Sequence, residues 1–292
     1  MYGIFKNEVG RFEIRETPDP TPTEDQVLID VKATSLNFGE VSYSAPDWGV
    51  IGWDSAGIIL NGGGKFPVGA RVVGFGWRGG WATRRVLSVK EVVPIPDTLP
   101  LHLAASLPVA GLTALQGLRY GGNLRGKHVL VTGATGGVGR FAIQLGSQMG
   151  AEVTALVRKP AHRETLLKLG ATRVVTDVSG LERPVDHVIE LVGGAMFDQA
   201  LQAANPTRAM VMLIGDASGE RRTATPKPGQ QIIQFRVNSA LATDLLELVG
   251  KLAGGTLDPQ IGWRGHWSQI NEAADFLMSR QVLGKLVLDI HS

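Results

Sequence analysis

The chain has 292 residues, 43% of them hydrophobic and 19% charged, which is long enough for two cores and ordinary for a globular protein. Its 29 basic and 27 acidic residues leave a formal charge of only +2, without long runs of one sign, so there is no electrostatic footprint for nucleic acid or an anionic membrane surface. No cysteine is present, and the six histidines lack any His-x-His or His-Glu-x-x-His spacing, which excludes disulfides, a thiol nucleophile and thiolate metal sites and leads us to expect no metal.

The opening residues lack the basic-then-apolar layout of a secretory signal, and no apolar stretch approaches the roughly 18 residues of a membrane span, so the chain reads as cytoplasmic. Residues 1–100 read as short strands broken by Gly and Pro, clearest at 26–33, 55–60, 71–75 and 81–86. A run of three prolines at 94–100 closes that region, and a helical stretch at 101–120 follows, interrupted near Pro108 and Gly111. From Lys127 the pattern changes to apolar strands at 128–132, 152–157, 173–175, 187–191 and 209–214, with helices fitting between them, which is the signature of a parallel α/β sheet. The clearest of these helices spans 137–149, with Val138, Phe141, Ala142, Leu145 and Met149 on one face and Gly150 placed to end it. Helices at 243–253 and 271–279 and a strand at 285–290 then rejoin the first region. The expected fold class is α/β, with a β-rich catalytic domain at 1–110, a doubly wound nucleotide-binding domain at 111–239 and the rest of the catalytic domain at 240–292.

The strongest motif is Thr132-Gly133-Ala134-Thr135-Gly136-Gly137-Val138-Gly139, between a predicted strand and the best helix. Glycines there let the backbone approach a pyrophosphate, and the free N–H groups of the helix start favour an anion. The second strand of the unit ends Leu156-Val157-Arg158-Lys159. A free ribose 2′-hydroxyl calls for a carboxylate at this point; Arg158, Lys159 and nearby Arg163 instead offer positive charge to a 2′-phosphate, which favours NADPH over NADH. The glycines also satisfy the short-chain dehydrogenase pattern, but those enzymes need a catalytic Tyr downstream, and Tyr2, Tyr43 and Tyr120 all lie upstream.

Several further stretches carry a resemblance: Leu36-Asn37-Phe38-Gly39-Glu40, Gly52-Trp53-Asp54-Ser55-Ala56-Gly57, Leu107-Pro108-Val109-Ala110-Gly111-Leu112-Thr113-Ala114 and the ending Gly284-Lys285-Leu286-Val287-Leu288. Together with the nucleotide loop they make the chain similar, over nearly its whole length, to the zinc-independent quinone oxidoreductase branch of the medium-chain dehydrogenase/reductase superfamily. The resemblance implies a GroES-like catalytic domain built from both chain ends and a Rossmann domain between them. It also implies dinucleotide contacts from Asn37, Thr113, Gly133, Thr135, Gly136, Gly137, Val138, Val192, Gly193, Gly215, Phe235 and Arg280, and a homodimer joined at Rossmann sheet edges. Glu40 stands where the family has Asp, and the stretch from Asn37 to Gly52 is short, so the pocket wall is expected to depart from the family's shape.

A quinone, carbonyl or enone that accepts hydride develops charge on oxygen, which a metal-free site must meet with hydrogen bonds or a proton. Asn37 offers an amide donor and Tyr43 a phenol in the segment that the resemblance puts beside the nicotinamide, and these are the catalytic candidates. The rival readings are an enoyl or alkenal double-bond reductase and a non-catalytic NADPH-binding sensor.

Overall fold

In the computed structural model, which describes residues 1–214, 218–237 and 241–290, the chain forms two units, Met1–Ala110 with Ser239–Ser292, and Gly111–Asn238. The first opens with β1 (Tyr2–Lys6) and β2 (Phe12–Glu16), an antiparallel pair. It continues through β3 (Gln26–Leu36), α1 (Phe38–Tyr43), β4 (Asp54–Asn61), β5 (Arg71–Phe75), β6 (Arg84–Ser88), β7 (Val92–Pro94) and α2 (Leu101–Ala105). The chain passes into the second unit within α3 (Pro108–Arg119). There it forms β8 (His128–Val131), α4 (Gly137–Gln148), β9 (Glu152–Leu156), α5 (Arg163–Lys168), β10 (Arg173–Val175), β11 (His187–Glu190), α6 (Gly194–Ala203), β12 (Met210–Leu213) and β13 (Gln231–Gln234). The tail returns to the first unit as α7 (Leu241–Ala253), β14 (Ile261–His266), α8 (Ile270–Met278) and β15 (Lys285–Asp289).

The first unit is organised by β3, whose Val27, Ile29, Val31 and Ala33 point into the core while alternate residues stay half-exposed, the period-2 pattern of a strand with one wet face. The alternation stops at its end, where Thr34 and Ser35 are buried as well, because both hydroxyls find partners in Asp54, Thr34 donating to its backbone oxygen and Ser35 to its carboxylate, each at 2.5 Å. One edge of β3 pairs with β4; the other is shared end to end by β6, along Gln26 to Asp30, and by β15, along Ala33 to Leu36. Leu286 and Leu288 of β15 are buried with Val31, Ile59 and Trp81, and at about 1.5–3 kcal/mol per buried side chain they hold the last strand firmly against the first half of the chain.

The second unit is a six-stranded parallel sheet in the order β10-β9-β8-β11-β12-β13. The chain reverses direction across the sheet between β8 and β11, and in such sheets ligands bind outside the carboxyl ends of the strands at that switch. Helix α4 buries Phe141, Ala142, Ile143 and Leu145.

The stretch 101–120 breaks before Pro108 as expected, because Pro108 supplies no N–H and disfavours helical backbone in Leu107, but α3 then runs through Gly111 without a second interruption. Trp81 precedes β6 instead of starting it: its N–H bonds to Ile51 O at 2.9 Å, and its indole N–H donates to Ser35 O at 3.2 Å from a fully buried position.

Candidate functional site

In the second unit, β8 ends against a turn in which Gly133 adopts φ +55°. A side chain there would meet Leu191 Cβ and Val192 Cγ2 at 3.1 Å, and one at Gly139 would lie 2.4 Å from the Gly133 carbonyl oxygen. The first turn of α4 can therefore sit directly on the loop only because both positions are glycine. Gly136 caps α4 in extended conformation and bonds back to Gly133 O at 3.0 Å. Residues 135–138 remain half-exposed, so the N–H groups at the start of α4, which have no partners within the helix, border solvent. Beneath them the buried Arg140 donates to Thr135 O at 3.1 Å. A glycine cradle opening onto a helix N-terminus fits the pyrophosphate of a dinucleotide.

Val157 is buried after β9, and Arg158 and Lys159 are exposed next to it, with no carboxylate at the strand end. The third basic residue, Arg163, starts α5 and spends one N–H on Val174 O at 2.9 Å, tying that helix to β10. Val192 and Gly193 lie in the loop after β11, against the glycine turn. Phe235 is buried after β13 and meets Tyr120 edge-on at 5.8 Å. Thr113 is buried in α3. Gly215 lies outside the described residues.

In the first unit, Asn37 precedes α1 and is only 9% exposed. Its amide nitrogen donates to Glu40 Oε1 at 3.0 Å and to Asp54 Oδ2 at 2.8 Å, and its side-chain oxygen accepts from Lys285 Nζ at 2.7 Å. Both amide hydrogens are thus engaged inside the protein, so an oxyanion role requires one of these bonds to be released. Tyr43, at the other end of α1, is 58% exposed, with its ring edge-on to Phe38. Arg280, in the left-handed region at φ +58°, belongs to this unit and is exposed.

The cluster around Asn37 contains groups that the sequence reading left out of the site. Asp54 accepts from Ser35 Oγ at 2.5 Å and from the backbone of Val109, at the start of α3, at 2.9 Å. Glu40 accepts from the backbone N–H groups of Asn37 and Trp53 at 2.6 and 2.7 Å. Burial, and next the charge of Asp54, pushes the Glu40 carboxyl up to about 8, against the pull of Lys285 and the two N–H donors. Burial lowers the Lys285 ammonium, opposed by the charges of Asp54 and Glu40. Arg85 is brought down to about 10 by burial, which leaves it charged at neutral pH, and donates to Trp53 O, Ser55 Oγ, Gly76 O and Arg78 O. Asp54 and Lys285 stood in two of the stretches noted above, but 230 intervening residues hide their proximity from any reading of spacing.

Among the described residues no group of three or more His, Asp or Glu is arranged to hold a metal ion, and no helix is long and apolar enough to cross a membrane.

Residues 23–97 match the alcohol dehydrogenase GroES-like domain family, and residues 137–238 match the zinc-binding dehydrogenase family. Together the two matches cover more than half of the chain. Prostaglandin reductase-3 of Bos taurus is 31% identical over 226 residues, which is 70% of this chain and 59% of the relative; the chain thus spans little more than half of that protein. The quinone oxidoreductase of Coxiella burnetii superposes with a TM-score of 0.85 at 25% identity, covering 100% of this chain and 99% of that one. A mycobacterial protein complexed with NADPH superposes with a TM-score of 0.88 at 23% identity, over 99% of this chain and 100% of that one, a likeness of fold.

Proposed function

This chain belongs to the medium-chain dehydrogenase/reductase superfamily, and from that premise we propose that it is an NADPH-dependent reductase of quinones or α,β-unsaturated carbonyl compounds, of the zinc-independent branch. The observation that carries the reading is the glycine cradle at the start of α4 together with exposed Arg158 and Lys159, in place of a carboxylate, after β9. Bound NADPH supplies hydride from its nicotinamide ring.

The chain's own residues divide the remaining work. Gly133, Thr135, Gly136, Gly137 and Val138 receive the pyrophosphate, and Arg158, Lys159 and Arg163 surround the 2′-phosphate. Thr113, Val192, Gly193 and Phe235 contact the rest of the dinucleotide, and Asn37, Gly215 and Arg280 are proposed as further contacts on the resemblance alone. Tyr43, which is exposed, offers its phenol to the substrate oxygen, and Asn37 offers an amide N–H only by releasing Glu40 or Asp54. An NADPH-oxidation screen across quinones, enals and enones tests the reading: turnover of none of them, despite NADPH binding, leaves the chain a nucleotide-binding sensor. The chain is related to a prostaglandin reductase and similar in structure to a quinone oxidoreductase, and comparing rates on a quinone and an alkenal separates the two acceptor classes proposed.

The protein is further proposed to be a cytoplasmic homodimer. Among the described residues, strand β13 lies at the sheet edge and pairs only with β12, with Ile232 exposed, and such an edge offers unpaired N–H and C=O groups to a second copy. A strictly monomeric mass in light scattering at micromolar concentration argues against it.

A further inference from the structure

Strands β8, β11 and β12 end side by side in the second unit, and one carboxylate ties their following loops together. Glu190, the last residue of β11, is fully buried. Its Oε1 accepts from Thr132 Oγ1 at 2.9 Å and from the backbone N–H groups of Val192 and Gly193 at 3.0 Å, and Oε2 accepts from Gly193 N–H at 3.1 Å. The Thr132 hydroxyl accepts in turn from Leu191 N–H at 2.9 Å. Val192 O accepts from Ser218 N–H at 2.7 Å, which extends the connection to the segment following β12.

Packing alone does not account for a carboxylate at this position. The other residues of β11 are His187, Val188 and Ile189, all buried, and an apolar side chain would avoid the several kcal/mol that desolvating an ion costs in such a place. What the carboxylate provides is geometry. Gly193, which it holds, and Gly194 beside it sit at φ +81° and +51°, backbone that glycine adopts without strain but as one choice among many, so a fixed acceptor is what selects it. Gly193 caps α6, so the negative charge also lies favourably at a helix N-terminus. The loop held in this way forms one wall of the cradle, since Leu191 and Val192 are the side chains that crowd Gly133.

We propose that Glu190, working through Thr132, is a positioning residue of the dinucleotide site: it holds the 191–194 loop against the glycine turn, so that cofactor affinity depends on a carboxylate that the cofactor does not touch. The proposal rests on the reading of this unit as the dinucleotide-binding one. Burial raises the Glu190 carboxyl, while the N–H groups of Gly193 and Val192, the Thr132 hydroxyl and the charge of Arg222 lower it. Protonation replaces an acceptor by an O–H facing N–H donors, so the tie opens on the acid side.

The test uses the full chain and NADPH, with binding followed by nicotinamide fluorescence across the acid-to-neutral range. Glu190→Gln and Thr132→Val are each expected to weaken NADPH binding about ten- to a hundredfold, the fold-change that corresponds to one hydrogen bond to a charged group. Thr132→Ser, which keeps the hydroxyl, should stay within a few-fold of wild type. Affinity should fall more steeply toward acid in the wild type than in Glu190→Gln, because the 2′-phosphate titrates equally in both. If Glu190→Gln does not fold, the Thr132 pair carries the comparison. Wild-type binding that both Thr132 variants reproduce overturns the role given to Glu190, whereas a wild type that binds neither NADPH nor NADH overturns the dinucleotide reading itself.

Discussion

Lys285 donates to the side-chain oxygen of Asn37 at 2.7 Å although the two stand 248 positions apart in sequence. The same ammonium donates to Leu36 O at 3.0 Å and stands 3.7 Å from Asp54 Oδ2, both side chains being almost fully buried. Removing one member of a buried ion pair strands the other, at about 3–5 kcal/mol. Lys285→Met is therefore expected to lower the urea midpoint by a corresponding amount, with the slope of the transition unchanged. A midpoint equal to wild type means that the pair contributes nothing to stability.

Asn37→Ala and Tyr43→Phe separate positioning from chemistry. Loss of a buried amide that serves three partners should lower stability by about 1–3 kcal/mol, and turnover with it. An Asn37→Ala enzyme of normal stability whose kcat has dropped about a hundred- to a thousandfold instead marks an oxyanion donor. Tyr43→Phe keeps the ring and removes the hydroxyl, and a general acid there is worth about a hundredfold in kcat. A change confined to KM makes Tyr43 a wall of the pocket.

Arg158→Ala is expected to narrow the preference for NADPH over NADH by about ten- to a hundredfold, the equivalent of a charge-assisted phosphate contact of roughly 1.5–3 kcal/mol. Binding titrations at moderate salt check this. Equal affinity of the wild type for the two nucleotides removes the basis for assigning these basic residues to a 2′-phosphate.

Acid should destabilise the fold through His187. The ring is buried and its Nε2–H donates to Gly117 O at 2.9 Å. Burial, assisted by the charge of Lys127, brings it down to about 4. The unfolded histidine takes up its proton near 6.5, so the stabilising difference is fully present above that pH and is lost as pH falls toward 4, a total of roughly 3 kcal/mol. Urea midpoints at pH 7 and pH 4.5 should therefore differ more in wild type than in His187→Gln, whose amide can still donate to Gly117 O. Equal pH dependence of the two proteins assigns the acid sensitivity to other groups.

The parts of the fold that could be read from the sequence are those in which one local rule decides the conformation. The glycine loop is such a case, because a strand, a turn that only glycine permits and an amphipathic helix follow one another within about twenty residues of sequence, and α4 begins at Gly137 as the pattern demands. The exposure of Arg158 and Lys159 was legible for the same reason, since both follow closely on the end of β9. Asn37 was identified as a site residue from its stretch, but the direction of its amide was not, because Asp54 and Lys285 reach it from β4 and β15. Glu190 did leave a signal, a charged residue ending an apolar strand, yet its partners are backbone groups whose placement no residue type reveals. Strand β14 alternates in burial, but glycines at 262 and 265 stand on it in place of larger side chains, which leaves little hydrophobic contrast to detect.

The sharing of one edge of β3 by β6 and β15 sets an order of events during synthesis. As the chain leaves the ribosome, β3, β4 and β6 emerge early, and the segment of β3 from Ala33 to Leu36 then waits for a partner through all of the second unit. The second unit is continuous in sequence and can complete its sheet first. Only when β15 arrives does the cation of Lys285 meet Asp54 and Glu40. Until that moment the nascent first unit exposes an unpaired strand edge beside two carboxylates, which makes it a stretch that a second chain or a holding chaperone can pair with.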